Sequence, residues 1–330
     1  MDQMKYLKEL AVRYPNVAAA STEIINLQAI LHLPKGTEHY VSDVHGEYEK
    51  FSHIIRNGSG AIRSRIEDEF GNTLTTKQKK NLASVIYYPE QKMDLMEEEL
   101  PKNFLLEWQH DTMVRLVHVA RSVGNKYTRS KVRKAMSPEF AYVMEELMVE
   151  HRRADKKRYV EQILETIIMT GRVRQFIAAM AHLIQDLTID HLHVIGDIYD
   201  RGSGPHRIMD CIMKTANVDI QWGNHDILWM GAACGNDACI CSVIRNNLKY
   251  DNVEILENAY GISLRQLILF GMKTYGIEDG IKAALAAVTV ILFKLEGQLI
   301  KAHPEYEMSD RLLLGQMDDT KNKVMIEGEW

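Results

Sequence analysis

The sequence predicts an α/β protein whose short strands alternate with helices. Three β-prone runs each end in a polar turn and precede a helical pattern, as in the strand–loop–helix units of such folds. Between the first and second runs, residues 66–185 show an almost wholly helical spacing of apolar residues. We therefore predict a discontinuous core, residues 1–65 and 186–330, that carries a helical insertion at residues 66–185.

The core elements follow from the apolar spacing. Residues 39–46 predict the first strand and its loop, and residues 48–55 predict the helix that follows. Two helices are predicted before Pro34, because apolar residues recur there at helical spacing. The other two strands are predicted immediately before Asp197 and before Asn224, and each is again followed by a helical pattern.

Local signals predict where several later elements begin and end. Ser137 followed by Pro138 predicts a helix start, since serine caps helices and proline fits their first turn. Gly171 interrupts an apolar stripe and predicts a break between two helices. Residues 261–301 predict further helix. Residues 323–330 predict a last short strand or the first arm of a hairpin, and we expect no partner strand for it within this chain.

Composition excludes several classes of function. The 330 residues include 40 Lys and Arg against 45 Asp and Glu, so the net charge is −5 and no global basic field could hold a nucleic acid. The longest uncharged apolar run, Ala283 to Phe293, is shorter than the roughly 20 residues of a membrane span, so we expect a buried helix there. The N-terminus lacks the apolar segment of a secretory signal. We expect a cytoplasmic protein with no membrane partner.

Three polar loops follow the three predicted strands. They carry, in chain order, Asp43 and His45; Asp197, Asp200 and Arg201; and Asn224, His225 and Asp226. Carboxylate, imidazole and amide oxygen together suit Mn²⁺, Fe or Zn²⁺. Because the carboxyl ends of parallel strands meet at one edge of a sheet, we predict a metal pair at these loops.

Each loop alone also has a structural explanation. Asp43 could bond the backbone of its own turn, and Asp200 and Arg201 could form a surface ion pair. Asn224 could cap the helix that follows it. Three such loops in this order, each at the end of a strand, favour a catalytic site over these separate explanations.

The order D-x-H-G, G-D-x-x-D-R-G, G-N-H-D resembles that of the dinuclear metallophosphoesterases, whose third motif commonly reads G-N-H-E. With the long insertion, the stretch Tyr127–Lys134 and the opening at residues 39–51, the chain resembles class III fructose-1,6-bisphosphatases along essentially its whole length. The resemblance implies a metallophosphoesterase-like β-sandwich core flanked by helices. It also implies that a metal-activated water hydrolyses the 1-phosphate of fructose 1,6-bisphosphate to fructose 6-phosphate and phosphate, in gluconeogenesis.

The resemblance implies a ligand set for two metal ions, with Mn²⁺ expected and other divalent metals open. Asp43 and His45 would bind the first ion, Asp197 would bridge both ions, and Asn224 would bind the second. The other dinuclear enzymes complete the second site with two later histidines, but only His303 follows the third motif in this chain.

The resemblance also implies roles in the chemistry. His225 would protonate the leaving alkoxide while Asp200 holds its ring, and Arg201 would bind the phosphate. Asp226 replaces the glutamate common in the third motif, and its role stays open.

Basic residues in the insertion are candidates for the distal phosphate of the substrate. We favour Arg129, Lys131 and Arg133 from a larger group that also includes Arg121, Lys126 and Lys134. The alternative is a solvated helix face, which is the usual explanation of a charge run on a helix.

Members of this class are roughly twice as long as this chain, so we expect an N-terminal fragment with little activity of its own. A vacant second metal site and a substitution by His303 are the alternatives. Two other functions stay open: a protein or dinucleotide-polyphosphate phosphatase of the same superfamily, and a catalytically incomplete fragment that acts as an interaction module. The expected partner is a small sugar bisphosphate, and a homo-oligomer is also open.

Overall fold

The computed structural model describes residues 3–150, 156–215, 217–312, 316–318, 320, 322–325 and 328–330. The chain forms two compact units, Met1–His39 with His53–Leu192, and Tyr40–Ser52 with His193–Trp330. Three segments that were predicted to belong to the core group with the helical residues in this division: residues up to 39, residues 53–65 and residues 186–192. The predicted domain boundaries at residues 65 and 186 stay a prediction.

Helices make up most of the described chain. In order, they are α1 (Gln3–Arg13), α2 (Val17–Ile30), α3 (Tyr48–Asn57), α4 (Ala61–Phe70), α5 (Thr76–Tyr87), α6 (Pro89–Glu99), α7 (Lys102–Gly124), α8 (Arg129–Ala135), α9 (Ala141–Glu150), α10 (Lys157–Met169), α11 (Val173–Thr188), α12 (Pro205–Met213), α13 (Asn224–Ala233), α14 (Asp237–Lys249), α15 (Arg265–Tyr275) and α16 (Gly280–Ala302). The strands are β1 (Glu38–Ser42), β2 (His191–Ile195), β3 (Val218–Gln221), β4 (Met317–Asp318) and β5 (Lys323–Val324).

A small parallel sheet with strand order β1-β2-β3 confirms the α/β class. Helix α12 lies between β2 and β3 in the chain, as the helical pattern after the second strand predicted. Leu192 and Val194 on β2 are buried, whereas the residues between and beside them are more exposed. Burial thus alternates along the strand, as expected when one face of a sheet is covered. The β-sandwich implied by the resemblance stays a prediction.

The core of the first unit confirms that the predicted insertion is helical. It centres on α7 and α11, where Val119, Ala120, Phe176 and Ile177 are fully buried. Helix α10 ends and α11 begins on either side of Gly171, whose φ of +69° breaks the helix where the apolar stripe is interrupted.

The predicted helix start at Ser137 was wrong, because α9 begins at Ala141. The backbone N–H of Phe140 donates to the carbonyl of Ser137 at 3.0 Å, so residues 137–140 form a turn that precedes the helix. Proline at the second position of a turn, after serine at the first, is a common turn pattern. The same two residue types therefore signal a turn here and not a helix cap.

The two predicted N-terminal helices are confirmed as α1 and α2, and neither contains a buried residue. The Asn16 side chain caps α2 by accepting a hydrogen bond from the Ala19 N–H at 2.9 Å. Their apolar stripes are exposed in the described chain.

The expectation of an unpaired last strand was wrong. Residues of β5 pair antiparallel with β4, with Met317 opposite Val324 and Asp318 opposite Lys323. The partner strand precedes β5 in the chain, and polar residues suited to a turn separate the two strands. Residues 326 and 327 of the predicted strand lie outside the described residues.

Helix α16 is buried on one face only, so the expectation of a buried helix at Ala283 to Phe293 holds in part. Ala283, Ala287 and Val288 are buried, whereas Phe293 is 55% exposed. By length and composition α16 could cross a membrane, and 22% of the residues in its most apolar stretch are buried. Such a helix is also found in the cores of proteins that never enter a membrane.

Candidate metal and catalytic site

The loops after β1 and β2 contain backbone conformations that are rare outside glycine. Asp43, His45 and Asp197 have φ values of 51°, 46° and 47°, in the left-handed region. Such conformations are strained for residues with a Cβ, and they recur at functional sites where the surrounding structure holds them. All three residues are predicted metal ligands, and all three lie in the second unit.

Backbone hydrogen bonds tie the first two loops together. The N–H of Asp43 donates to the carbonyl of Ile195 at 3.3 Å, and the N–H of His45 donates to the carbonyl of Asp197 at 2.8 Å. The carbonyl of His45 in turn accepts from the N–H of Gly202 at 2.7 Å. The first motif is therefore fixed to both ends of the second motif by its own main chain.

Gly223 allows the third loop to approach Asp197. A Cβ built on Gly223 would lie 2.2 Å from Oδ1 and 2.4 Å from the backbone N of Asp197. The same Oδ1 accepts a hydrogen bond from the N–H of His225 at 3.3 Å. The glycine of G-N-H-D is therefore required by the close packing of two motif loops.

Asp226 has a structural role that the sequence left open. Its buried carboxylate accepts hydrogen bonds from the N–H groups of Ile198 at 2.8 Å and Tyr199 at 2.9 Å through Oδ1, and from that of Gly223 at 2.8 Å through Oδ2. It thus caps α13 and also holds the loop of the second motif. Because its oxygens accept hydrogen bonds from three backbone N–H groups, Asp226 joins the loop of the second motif to the loop of the third motif.

Asp200 lies between two histidines. Its side chain is 3% exposed, and Oδ2 lies 2.8 Å from Nδ1 of His45, although the ring is not aligned for a hydrogen bond. Oδ2 also accepts a hydrogen bond from Nε of Arg201 at 2.8 Å, and Oδ1 lies 3.4 Å from Nε2 of His225. The structure therefore brings Asp200, Arg201, His225 and His45 together, with His45 the nearer histidine.

The first pair of predicted ligands lies at a distance that one ion can span. Oδ1 of Asp43 and Nε2 of His45 are 3.9 Å apart, and two atoms that each lie about 2.0–2.2 Å from one ion can be separated by at most about 4.4 Å. Nδ1 of His45 lies 2.8 Å from the Asp200 carboxylate, and a small rotation of the ring would give the hydrogen bond that metal-binding histidines usually donate to a carboxylate through their other nitrogen. This pair fits a divalent metal.

The full three-ligand set is not gathered in the described residues. Asp43, His45 and Asp197 do not form a group whose ligand atoms all lie within 4.8 Å of one another. The Asp43 side chain is 72% exposed, so it can rotate toward an ion without breaking a buried contact. Asn224, the predicted ligand of the second ion, is the exposed first residue of α13.

Arg201 exposes the outer nitrogens of its guanidinium to solvent, while its Nε and its backbone carbonyl are hydrogen-bonded. The side chain is 66% exposed, and its hydrogen bond to Asp200 raises the pKa of the guanidinium, so it is charged at any pH of interest. Its carbonyl accepts a hydrogen bond from Nδ2 of the buried Asn252 at 2.5 Å. Arg201 is therefore anchored, and its outer nitrogens can bind a phosphate oxygen.

Three aromatic residues support the same loop, and sequence reasoning missed them. The hydroxyls of Tyr199 and Tyr260 are 2.7 Å apart, and the Trp229 ring lies 4.5 Å from that of Tyr199 and 5.4 Å from that of Tyr260. Burial raises the pKa of Tyr199, which keeps its hydroxyl protonated. Tyr199 occupies an unspecified position of the second motif, and the other two lie well beyond it, so no motif marks this group.

His303 makes local contacts. Its Nδ1 lies 2.8 Å from Oε1 of Glu305, and its ring stacks on that of Tyr306 with centroids 4.8 Å apart. The residue follows α16 directly. These contacts hold the ring beside its near neighbours in the chain, and a role of His303 at the second metal stays a prediction.

The basic residues predicted to bind the distal phosphate lie in the first unit, on α8. Lys131 forms an ion pair with Asp190, and Nη1 of Arg133 lies 3.5 Å from Oε2 of Glu145. Arg129 is exposed and lines an open pocket together with Arg133. Their role in substrate binding stays a prediction.

The sequence matches the model of a family described as Firmicute fructose-1,6-bisphosphatase over residues 5–330. The chain therefore belongs to the Firmicute fructose-1,6-bisphosphatase family. This match confirms the resemblance inferred from the three motifs and the insertion.

Curated relatives carry the name fructose-1,6-bisphosphatase class 3. That of Clostridium beijerinckii is 48% identical over 99% of this chain and 52% of its own length. The Fusobacterium nucleatum relative is 49% identical, over 99% of this chain and 53% of its own length. The Listeria innocua relative is 47% identical, also over 99% of this chain and 53% of its own length. The chain thus spans about half the length of the curated relatives it matches. No solved structure gave a significant match.

Proposed function

We propose that the three motif loops of this chain carry the metal-dependent hydrolysis of the 1-phosphate of fructose 1,6-bisphosphate, which yields fructose 6-phosphate and phosphate. The observation that carries the proposal is the position of the Asp200 carboxylate, 2.8 Å from His45, 3.4 Å from His225 and hydrogen-bonded to Arg201. A buried carboxylate so placed links a metal ligand, a proton donor and a phosphate-binding cation. The curated relatives bear the name of this activity.

The proposed cofactor is a pair of divalent ions, with Mn²⁺ as the expected metal. Asp43 and His45 would hold the first ion, Asp197 would contact both, and Asn224 would contact the second. Carboxylate, imidazole and amide oxygens form a donor set that suits Mn²⁺. When bound, such a pair supplies Lewis-acid activation of water and neutralises charge on the phosphoryl group.

The protein's own groups supply the remaining chemistry. His225 would give a proton to the leaving alkoxide, and Asp200 would orient that ring through the contact between Oδ1 and Nε2. Arg201 would bind phosphate oxygens with its exposed nitrogens while Nε stays on Asp200. Arg129, Lys131 and Arg133 are proposed for the distal phosphate.

The finer expectations about fold and cell biology belong to the same proposal. A metallophosphoesterase-like β-sandwich would include the parallel sheet that carries the motif loops. The reaction would serve gluconeogenesis, in the cytoplasm, with a sugar bisphosphate as the partner. The match to a family described as fructose-1,6-bisphosphatase supports the sugar bisphosphate as the partner.

A chimaera tests the proposal. This chain would replace the matched segment of the C. beijerinckii relative, and the chimaera and the 330-residue chain would be assayed with added Mn²⁺ on fructose 1,6-bisphosphate, a phosphopeptide and a diadenosine polyphosphate. We expect the chimaera to prefer the sugar bisphosphate and Asp197→Ala to abolish its activity. A preference for either other substrate would indicate a different phosphatase. A well-folded chimaera that hydrolyses none of the three would favour an interaction module.

A further inference from the structure

The peptide group between Arg201 and Gly202 is hydrogen-bonded at both of its edges. Its N–H, which belongs to Gly202, donates to the carbonyl of His45 at 2.7 Å. Its C=O, which belongs to Arg201, accepts from Nδ2 of Asn252 at 2.5 Å. Because a peptide group is planar, these two bonds fix its orientation between the first motif loop and Asn252. All four residues lie in the second unit.

The orientation of this peptide group determines where the Arg201 side chain starts. Further out, Nε of Arg201 donates to Oδ2 of Asp200 at 2.8 Å. Asp200 and Arg201 are neighbours in the chain, so that bond moves with the loop and does not hold the loop to the rest of the unit. Asn252 lies far along the chain, and it therefore gives the loop an anchor that none of the three motifs supplies.

The end of α14 holds Asn252 in place. The backbone N–H of Asn252 donates to the carbonyl of Asn247 at 2.8 Å, a bond that typically closes a helix end. Asp251 has a φ of 58°, the left-handed conformation that such helix ends usually give to glycine. Aspartate adopts this conformation at a cost, and strain of this kind recurs at functional sites. A strained helix end thus directs a buried amide at Arg201.

The segment that follows Asn252 reaches the second motif at another point. A single π-helical turn, Ile255–Ala259, comes shortly after Asn252, and such turns are rare and frequent at functional sites. The next residue is Tyr260, whose hydroxyl lies 2.7 Å from that of Tyr199. Residues 252–260 therefore support the loop of the second motif at two positions, Tyr199 and Arg201.

We propose that Asn252 is a positioning residue for the hydrolysis, which fixes the main chain at Arg201 so that the guanidinium is ordered before a phosphoryl group arrives. The inference rests on the proposed function for the role of Arg201. The Arg201 side chain is 66% exposed, and an exposed arginine loses conformational entropy when it binds a ligand. A main chain that is already fixed reduces this loss. Asn252 is buried and acts through Arg201.

The alternative explanation is that Asn252 only stabilises the end of α14. Loss of its amide leaves the Arg201 carbonyl without this donor, so both explanations predict a lower unfolding temperature for Asn252→Ala. They differ for the Arg201 side chain, which a purely structural role would leave unchanged in folded protein. Asn247 is the matched control, because it is also buried and its Nδ2 donates to the carbonyl of Val243 at 2.8 Å, away from the motif loops.

The first measurement needs no activity and uses NMR of the isotope-labelled 330-residue chain. It follows how fast the Nε–H of Arg201 exchanges with solvent, and the loss of the signal in Arg201→Lys assigns it. Asn252→Ala should speed this exchange by about threefold or more, because the bond to Asp200 opens more often when the loop is loose. Asn247→Ala should leave the rate unchanged.

A second substitution covers the case in which Asn252→Ala does not fold. Asn252→Asp keeps the shape of the side chain and loses the N–H donor, so it should speed the exchange of the Arg201 Nε–H in the same way. A folded Asn252 variant in which this exchange matches that of the unmodified chain would overturn the proposal. A lower unfolding temperature together with unchanged exchange would assign Asn252 to the helix end.

The second measurement uses steady-state kinetics of the chimaera with the C. beijerinckii relative. Asn252→Ala should raise both the KM for fructose 1,6-bisphosphate and the inhibition constant of inorganic phosphate by about three- to tenfold, the range of one hydrogen bond. The kcat should change less than about twofold, because prior ordering of Arg201 favours the bound substrate and the transition state alike. A lower kcat with both other constants unchanged would contradict the proposal.

A double variant shows whether Asn252 acts through Arg201. In the Arg201→Ala chimaera the guanidinium is absent, so adding Asn252→Ala should lower kcat/KM by less than about twofold more. Fully additive losses would refute the proposal. An inactive chimaera whose Arg201 signal responds to Asn252→Ala would count against the proposed hydrolysis and not against the anchor. An active chimaera whose Arg201 signal does not respond would count against the anchor alone.

Discussion

The carboxylate of Asp200 lies closer to His45 than to His225, at 2.8 Å against 3.4 Å. The resemblance implied the second contact and not the first. Nδ1 of His45 lies beside this carboxylate, and Nε2 of the same ring lies 3.9 Å from Oδ1 of Asp43, on the side where a shared ion would lie. We therefore expect Asp200 to support metal binding as well as the proposed proton donor.

Asp200→Asn should weaken Mn²⁺ binding by about 10–100-fold, because it removes the charge that orients and polarises His45 while keeping the shape of the side chain. Calorimetric titration of Mn²⁺ into EDTA-treated, desalted protein measures this. Asp210→Asn, an exposed aspartate on α12, is the matched control and should leave the affinity unchanged. Equal affinities for both variants would remove Asp200 from the metal site.

Gly223→Ala should displace Asp197, since the new Cβ would lie 2.2 Å from its Oδ1. We expect the variant to fold but to bind Mn²⁺ at least tenfold more weakly, as elemental analysis after dialysis against limiting metal would show. Gly297→Ala is the control, because among the described residues a Cβ there meets only Leu312, at 3.7 Å, and alanine favours a helix. Normal metal content in Gly223→Ala would show that the third loop does not position Asp197.

Asp226→Ala should destabilise the fold even without metal. The substitution leaves three buried or partly buried N–H groups without their acceptor, which costs about 1–3 kcal/mol. Urea unfolding in EDTA measures the difference. Asp237→Ala, an exposed acidic residue in the first turn of α14, should cost clearly less. A similar loss of unfolding free energy in the two variants would argue against a role of Asp226 in holding the two loops together.

His225→Ala in the chimaera should lower kcat by about 10²–10⁴ for an alkyl phosphate such as fructose 1,6-bisphosphate. A phenolic phosphate, whose leaving group needs no proton, should be affected much less. Steady-state assays on both substrates give the comparison. Equal losses on the two substrates would assign His225 a structural role.

Much of the local structure follows from residue patterns that depend on near neighbours. The strand–loop–helix order around Asp43, Asp197 and Asn224 was predictable because each strand is a short apolar run with a polar turn after it. The break at Gly171 was predictable because the glycine interrupts an apolar stripe. The helix start predicted at Ser137 and Pro138 was wrong because a turn and a helix start share the same residue types.

The relationships that the sequence could not reveal join residues far apart in the chain. The contact of Asp200 with His45 spans the whole helical insertion, and that of Tyr199 with Tyr260 spans 61 residues. The three hydrogen bonds of Asp226 explain why the third motif ends in a carboxylate, yet they depend on how two loops pack. Spacing predicts which residues reach one edge of a sheet and cannot predict which of them touch.

The metal site is the central claim, and anomalous scattering at the manganese edge from crystals soaked in Mn²⁺ tests it most directly. We predict a peak between Asp43 and His45 that also contacts Asp197, and no such peak in crystals of Asp197→Ala. Manganese bound only elsewhere, for example at the thiols of Cys234, Cys239 and Cys241, would contradict the account.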